Sequence, residues 1–149
     1  MVQMKVSTIM KNSLKKAYEI ASDAHKYQSD KGGKPYINHP ITVSQMVKTK
    51  KAKIVALLHD VLEDSKYTKS DLEEFFTQDV CDAVQLLTRG KNENYFRYIT
   101  ALKDNQLARE VKIADLKHNM DVSRLDSLGE KDVMRLKKYL CAYHILKAS

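Results

Sequence analysis

A histidine–aspartate doublet interrupts an apolar run, Ala56-Leu57-Leu58-His59-Asp60-Val61-Leu62-Glu63-Asp64. The run reads as a buried helix, and burying imidazole and carboxylate groups is costly unless something pairs with them. A divalent cation is one such partner. On a helix, His59 and Glu63 share a face at i, i+4, and so do Asp60 and Asp64. One turn then offers two ligands and, just beyond them, two carboxylates able to handle a water proton.

Two further polar residues intrude on apolar faces. His25 closes the face of the first helix, and Asp115 lies within Val111-Lys112-Ile113-Ala114-Asp115-Leu116, with Asn119 one turn on. His25, His59, Asp60 and Asp115 would form a mixed imidazole–carboxylate site drawn from three helices, a donor set suited to a first-row divalent ion with open positions for water and substrate. Each residue also has a plainer reading. A histidine at a helix end can be a cap, a buried aspartate can pair with Lys or Arg, and the doublet can belong to a polar network without metal.

The elements that must position these residues are helical throughout. Ser7 to Tyr27 places Ile9, Met10, Leu14, Ala17, Ile20, Ala21 and Ala24 at helical spacing. Ser29 to Asn38, with Gly32, Gly33 and Pro35, reads as a loop. His39-Pro40 opens the next helix, with Ile41, Val43, Val47 and Met46 inward. A basic stretch leads into the helix Ile54 to Leu62, which carries the doublet. Ser70-Asp71-Leu72-Glu73 has the form of a capping box. Val80 to Leu87 is helical after a break at Gln78-Asp79, and Arg89 to Asn92 stops it. Tyr95 to Leu102, Leu107 to Met120 and, after Ser127-Leu128-Gly129, Lys131 to Leu146 complete the chain. No stretch alternates with period two, so the expected fold class is all-α: one multi-helix bundle over 1–149 with the site between helices.

Composition narrows the function classes. With 149 residues, 43% hydrophobic and 30% charged, the chain can bury a core without disulfides. Cys81 and Cys141 form no disulfide framework and fit a reducing cytoplasm. No apolar stretch spans a bilayer and no signal-peptide core is present, so a cytoplasmic location and no membrane partner are expected. The net charge of +7 favours an anionic partner. The run Lys48-Thr49-Lys50-Lys51-Ala52-Lys53 has no interleaved aromatics, so a nucleic-acid partner is not expected.

Three ordered blocks resemble the HD-domain family, and within it the hydrolase domain of RelA/SpoT-type enzymes that degrade ppGpp and pppGpp. They are His25-Lys26-Tyr27-Gln28 with Lys31-Gly32-Gly33-Lys34-Pro35-Tyr36-Ile37-Asn38-His39-Pro40; Leu57-Leu58-His59-Asp60-Val61-Leu62-Glu63-Asp64; and Val111-Lys112-Ile113-Ala114-Asp115 with His118-Asn119-Met120. The resemblance implies a metal-dependent 3′-pyrophosphohydrolase acting on a small polyphosphorylated nucleotide. It implies metal ligands His25, His59, Asp60 and Asp115, usually for manganese, with Glu63 and Asp64 as the water-handling pair. It places Lys31 in a phosphate-facing loop and Asn119 at the nucleoside, with Tyr36 and His39 in the matched loop. The synthetase and regulatory domains of the long enzymes do not fit in 149 residues, so a stand-alone small alarmone hydrolase is expected.

The chain departs from the family pattern at Tyr27 (usually Gly), Asp30 (often Arg), Lys34 (commonly Glu) and after Met120, where Asp121-Val122-Ser123-Arg124 replaces a usual Arg-Thr. Arg124 is the candidate to take over the missing basic contact. An adenine alarmone or NADPH is an alternative substrate. A non-catalytic nucleotide-binding module is a third reading, although all six metal and water-handling positions are retained. A basic nucleic-acid-binding helical domain is a fourth.

Overall fold

The computed structural model describes residues 11–148. Ile9 and Met10, expected in the first helix, lie outside them. The described residues form α1 (Leu14–Ala24), α2 (Asn38–Gln45), α3 (Lys50–Leu58), α4 (Val61–Asp64), α5 (Lys69–Glu73), α6 (Gln78–Leu87), α7 (Tyr95–Leu102), α8 (Gln106–Asn119), a 3-10 turn (Val122–Arg124) and α9 (Glu130–Lys147). Among them no strand occurs beyond an isolated Ser29–Pro35 bridge, so the fold is all-α.

The centre of the packing is α3. Ala52 and every residue from Ile54 to Leu58 are buried, so this helix has almost no polar face and needs neighbours on nearly all sides. It has them in α1, α2, α6 and α8, while α9 covers α8 and α7. Polar side chains fix where helices begin. Ser13, Thr49, Asn94 and Asn105 each accept from backbone N–H groups of the first turn of α1, α3, α7 and α8. Lys53 Nζ donates to the Ser44 and Val47 carbonyls at 3.1 and 2.8 Å, closing the end of α2, and Lys51 pairs with Asp79 at 2.6 Å. Part of the basic run is thus used inside the fold.

Four expectations need correction. The helix carrying the doublet does not run through it: α3 ends at Leu58 and α4 starts at Val61. His59 Nδ1 lies 2.6 Å from the Ala56 carbonyl, so the imidazole takes the acceptor that the next helical N–H would use. The capping box belongs to Thr68 with Asp71, two residues before the expected Ser70, and the register is set by the full burial of Leu72. Gln78-Asp79 is the first turn of α6 rather than a break, with Thr77 at the N-cap position. Met46 is 42% exposed, because α2 ends at Gln45 and Met46 turns outward as its C-cap.

Leu58 is fully buried at the end of α3, next to the doublet. Leu58→Ala is expected to cost about 2–5 kcal/mol. Urea unfolding should show a lower midpoint with an unchanged slope.

Candidate metal centre

The last turn of α1, the loop 29–37, the α3–α4 junction and the middle of α8 meet at one point in the interior. His25, His39, His59 and Asp115 are buried there, each at most 5% exposed. His39 comes from the first turn of α2, where Pro40 is accommodated because its missing N–H is not needed. Asp115 sits mid-way along α8, on the face turned to α3.

Hydrogen bonding decides the state of each ring. His25 Nδ1 lies 2.8 Å from Gln28 Oε1. The Gln28 amide nitrogen donates to the Ala24 and Asp64 carbonyls, so its oxygen is the acceptor and His25 carries its proton on Nδ1. His59 likewise donates from Nδ1 to Ala56 O. The buried Nε2 of His25 is left without a hydrogen-bond partner, whereas His59 Nε2 faces two carboxylates. His39 differs, since both its nitrogens are engaged: Nε2 is 2.7 Å from Asp115 Oδ1, and Nδ1 is 2.7 Å from His118 Nδ1. In one proton assignment that satisfies this chain, His118 donates to His39 and His39 donates to Asp115.

Asp115 also accepts from Lys112 Nζ at 2.9 Å and from Asn119 Nδ2 at 3.1 Å. Tyr36 OH donates to Asp60 Oδ2. His59 Nε2 stands 3.1 Å from an Asp60 oxygen and 3.3 Å from Asp115 Oδ1. Potential ligand atoms of His39, His59 and Asp115 lie within 4.8 Å of one another.

The electrostatics follow. Burial opposes a charge on His59, yet the Asp60 and Asp115 carboxylates outweigh it and push the pKa well above the ordinary value. Burial also opposes ionisation of Asp115, but Lys112 and His59 hold its carboxyl well below the usual range. His25 is pushed down, chiefly by burial, and stays neutral. Partial burial, with Asp60 and Glu63 nearby, raises Asp64 to about 6. His39, His59 and Asp115 are the buried donor set whose geometry fits a divalent cation, with Ala56 O holding His59 and Lys112 holding Asp115 from behind. His25, expected as a ligand, lies outside that group and is tied to Gln28.

The remaining sequence-derived residues are distributed as follows. Asn119 shares the Asp115 face as expected. Glu63 is exposed and accepts from the Arg89 backbone N–H at 3.1 Å, so it does not share a face with His59; the break at His59-Asp60 removes that register. Lys31 is exposed and its Nζ lies 3.4 Å from Asp132. Arg124, in the 3-10 turn, lies 3.6 Å from Asp30 Oδ2. A cleft of about 280 Å³ runs from His39 and Asn119, past Tyr36, to Lys31 and Arg124. Gly33 adopts φ +81° in the loop that forms one wall, a conformation that favours glycine. Sequence reasoning missed the buried roles of Lys112 and His118 and left His39 ambiguous. The only available signal was their presence in the same blocks as the expected ligands.

A family model described as HD domain matches residues 17–125. The chain belongs to the HD-domain family. This HD domain is 33% identical over 122 residues to the bifunctional (p)ppGpp synthase/hydrolase SpoT of Escherichia coli K12, covering 72% of this chain and 17% of that protein. It is 34% identical over 116 residues to the guanosine-3′,5′-bis(diphosphate) 3′-pyrophosphohydrolase of Haemophilus influenzae, covering 68% of this chain and 17% of that one. The HD domain therefore spans about a sixth of the length of these curated relatives. A solved structure described as a metazoan orthologue of SpoT that hydrolyses ppGpp superposes with a TM-score of 0.72 at 23% identity, covering 89% of this chain and 84% of that one. The likeness establishes a shared fold.

Two measurements probe this arrangement. Lys112→Met leaves a buried carboxylate without its counter-charge and is expected to destabilise the protein by about 3–5 kcal/mol in chemical unfolding. For Asp64, the folded pKa of about 6 exceeds the ordinary 3.8, so ionisation opposes folding once the pH passes through this window. In chelator, Asp64→Asn should therefore melt above wild type at pH 8. The gap should shrink as the pH falls from 6 and close below 4.

Proposed function

We propose that this HD domain is a manganese-dependent hydrolase that removes the 3′-pyrophosphate of ppGpp or pppGpp, leaving GDP or GTP. The observation that carries this reading is the buried trio His39, His59 and Asp115, whose potential ligand atoms lie within 4.8 Å of one another. His39 also lines the cleft that leads to Lys31 and Arg124. The similar guanosine-3′,5′-bis(diphosphate) 3′-pyrophosphohydrolase of Haemophilus influenzae and the SpoT synthase/hydrolase of Escherichia coli support this substrate and reaction.

In this reading His39, His59 and Asp115, whose potential ligand atoms lie within 4.8 Å of one another, hold the metal, with Asp60 beside His59 Nε2 at 3.1 Å. An ion there would replace the direct His39–Asp115 contact, and His25, the ligand expected from the sequence, lies outside that group. A bound divalent ion supplies charge neutralisation at phosphorus and a lowered pKa for water. The protein supplies orientation and proton transfer. Asp64, raised to about 6, is ionised near neutral pH and still basic enough to accept a proton from the attacking water. Glu63, one residue earlier, is exposed and held by the Arg89 N–H, so the water-handling role falls to Asp64 alone. The water oxygen bonds to the phosphorus attached to ribose O3′, the P–O3′ bond breaks, O3′ takes up a proton, and pyrophosphate leaves. Asn119, Tyr36, Lys31 and Arg124 line the cleft and contact the nucleotide.

A panel of ppGpp, pppGpp, adenine analogues and NADPH, with manganese added or chelated, tests the assignment. Pyrophosphate release from the guanine alarmones, dependent on manganese, is expected. His59→Ala and Asp60→Ala should abolish it. Both variants should also lose the thermal stabilisation that manganese gives wild type, about 2.7 kcal/mol at a hundredfold excess over Kd. Full activity in either variant, or silence of wild type on every substrate, would sink the assignment.

A further inference from the structure

The cleft beside the His–Asp centre carries no net charge, although the chain carries +7. Its charged lining residues are Asp30, Lys31, Asp121, Arg124, Asp132 and Arg135, three carboxylates against three cations. Two of the carboxylates hold local backbone. Asp30 Oδ1 accepts from the Gly32 and Lys34 N–H groups at 2.9 Å each, closing the loop, and its Oδ2 stands 3.6 Å from the single cation Arg124. Asp121 Oδ1 accepts from the Ser123 N–H and hydroxyl, starting the 3-10 turn.

Asp132 is placed differently. Its Oδ2 is anchored by the Gly129 N–H at 2.9 Å, at the start of α9. Its Oδ1 takes the Arg135 guanidinium at 2.6 Å and the Lys31 ammonium at 3.4 Å. Arg135 stands on α9 and Lys31 on the loop wall, so one carboxylate joins cations from two sides of the cleft. Resting on the nucleotide-hydrolase reading, we propose that Asp132 is an internal counterion that sets the protein's affinity for polyphosphorylated ligands. It occupies the two cations that a phosphate group in the cleft would otherwise take. A phosphate entering the cleft must displace Oδ1, and the backbone tie on Oδ2 keeps the displaced carboxylate close by. The residual like-charge contact weakens binding. The effect applies to phosphates and not to the nucleoside.

The sign of the effect separates this role from pre-organisation. If Asp132 only held Lys31 and Arg135 in place for the ligand, its neutralisation would weaken binding; as a competitor, its neutralisation strengthens it. Calorimetric titration of the full chain in chelator, where metal-dependent turnover is absent, reads this directly. Asp132→Asn, which keeps an oxygen for the Gly129 N–H, is expected to bind ppGpp about fivefold more tightly than wild type, the size of an exposed charge contact. Guanosine affinity should not change. The gain should shrink at high salt and vanish in the Arg135→Ala, Lys31→Ala background. Asp132→Ser gives a second neutral side chain should the Asn variant melt early. Unchanged or weaker ppGpp binding in a folded neutral variant overturns the proposal, as does equal tightening for guanosine or absence of ppGpp binding throughout. Manganese-dependent turnover is scored separately: a wild type that binds but does not hydrolyse ppGpp defeats the hydrolase reading and leaves the Asp132 result standing.

Discussion

A carboxylate buried among helices has to be surrounded by donors, and Asp115 is the case on which this architecture turns. It receives Lys112 and Asn119 from its own helix and His39 from α2, 76 residues away in sequence. Withdrawing a charge from water is expensive, and the cost is offset only when nearly every lone pair finds a partner. That requirement fixes how α2 approaches α8. It also brings His118 into line behind His39. The loop, the two helices and the imidazole pair are arranged around one charge that could not otherwise be buried.

The same logic explains why α3 stops where it does. Its apolar faces drive it into the middle of the bundle, where a continuing helix would keep its carbonyls for backbone donors. His59 intervenes by giving its Nδ1 proton to Ala56 O. One hydrogen bond thereby ends the helix, fixes the tautomer and directs Nε2 at Asp60 and Asp115. Gln28 acts in parallel on the other side. It accepts from His25 and donates to the Asp64 carbonyl, joining the end of α1 to α4. The chemistry of the centre is therefore set largely by amide and carbonyl groups that carry no charge.

Most helices were legible from apolar spacing, because burial on one face writes a 3.6-residue period into the sequence. What escaped was whatever depends on contacts distant in the chain. Thr68-x-x-Asp71 and Ser70-x-x-Glu73 are both plausible caps, and only the position of Leu72 in the core selects the first. The break after Leu58 is invisible locally, since Val61 and Leu62 continue the apolar pattern. Lys112 resembles any solvent-facing lysine until Asp115, Tyr98 and α9 are placed around it. His25, His59, Asp60 and Asp115 stood out as polar residues in apolar surroundings, whereas His39 sits beside a loop where a histidine is unremarkable. The Asp30 substitution looked like a reversal of charge toward a ligand. In the fold its carboxylate serves loop N–H groups and Arg124 instead.

The donors of the centre are spread from residue 39 to residue 115, and no two neighbouring helices contain them all. A cation held there would tie distant parts of the chain together and add its binding free energy to the stability of the whole bundle. A cation bound there works as a keystone: it acts on the whole molecule's lifetime as a folded object, not on one loop. Metal supply would then bear on how much of the protein is folded as well as on its chemistry.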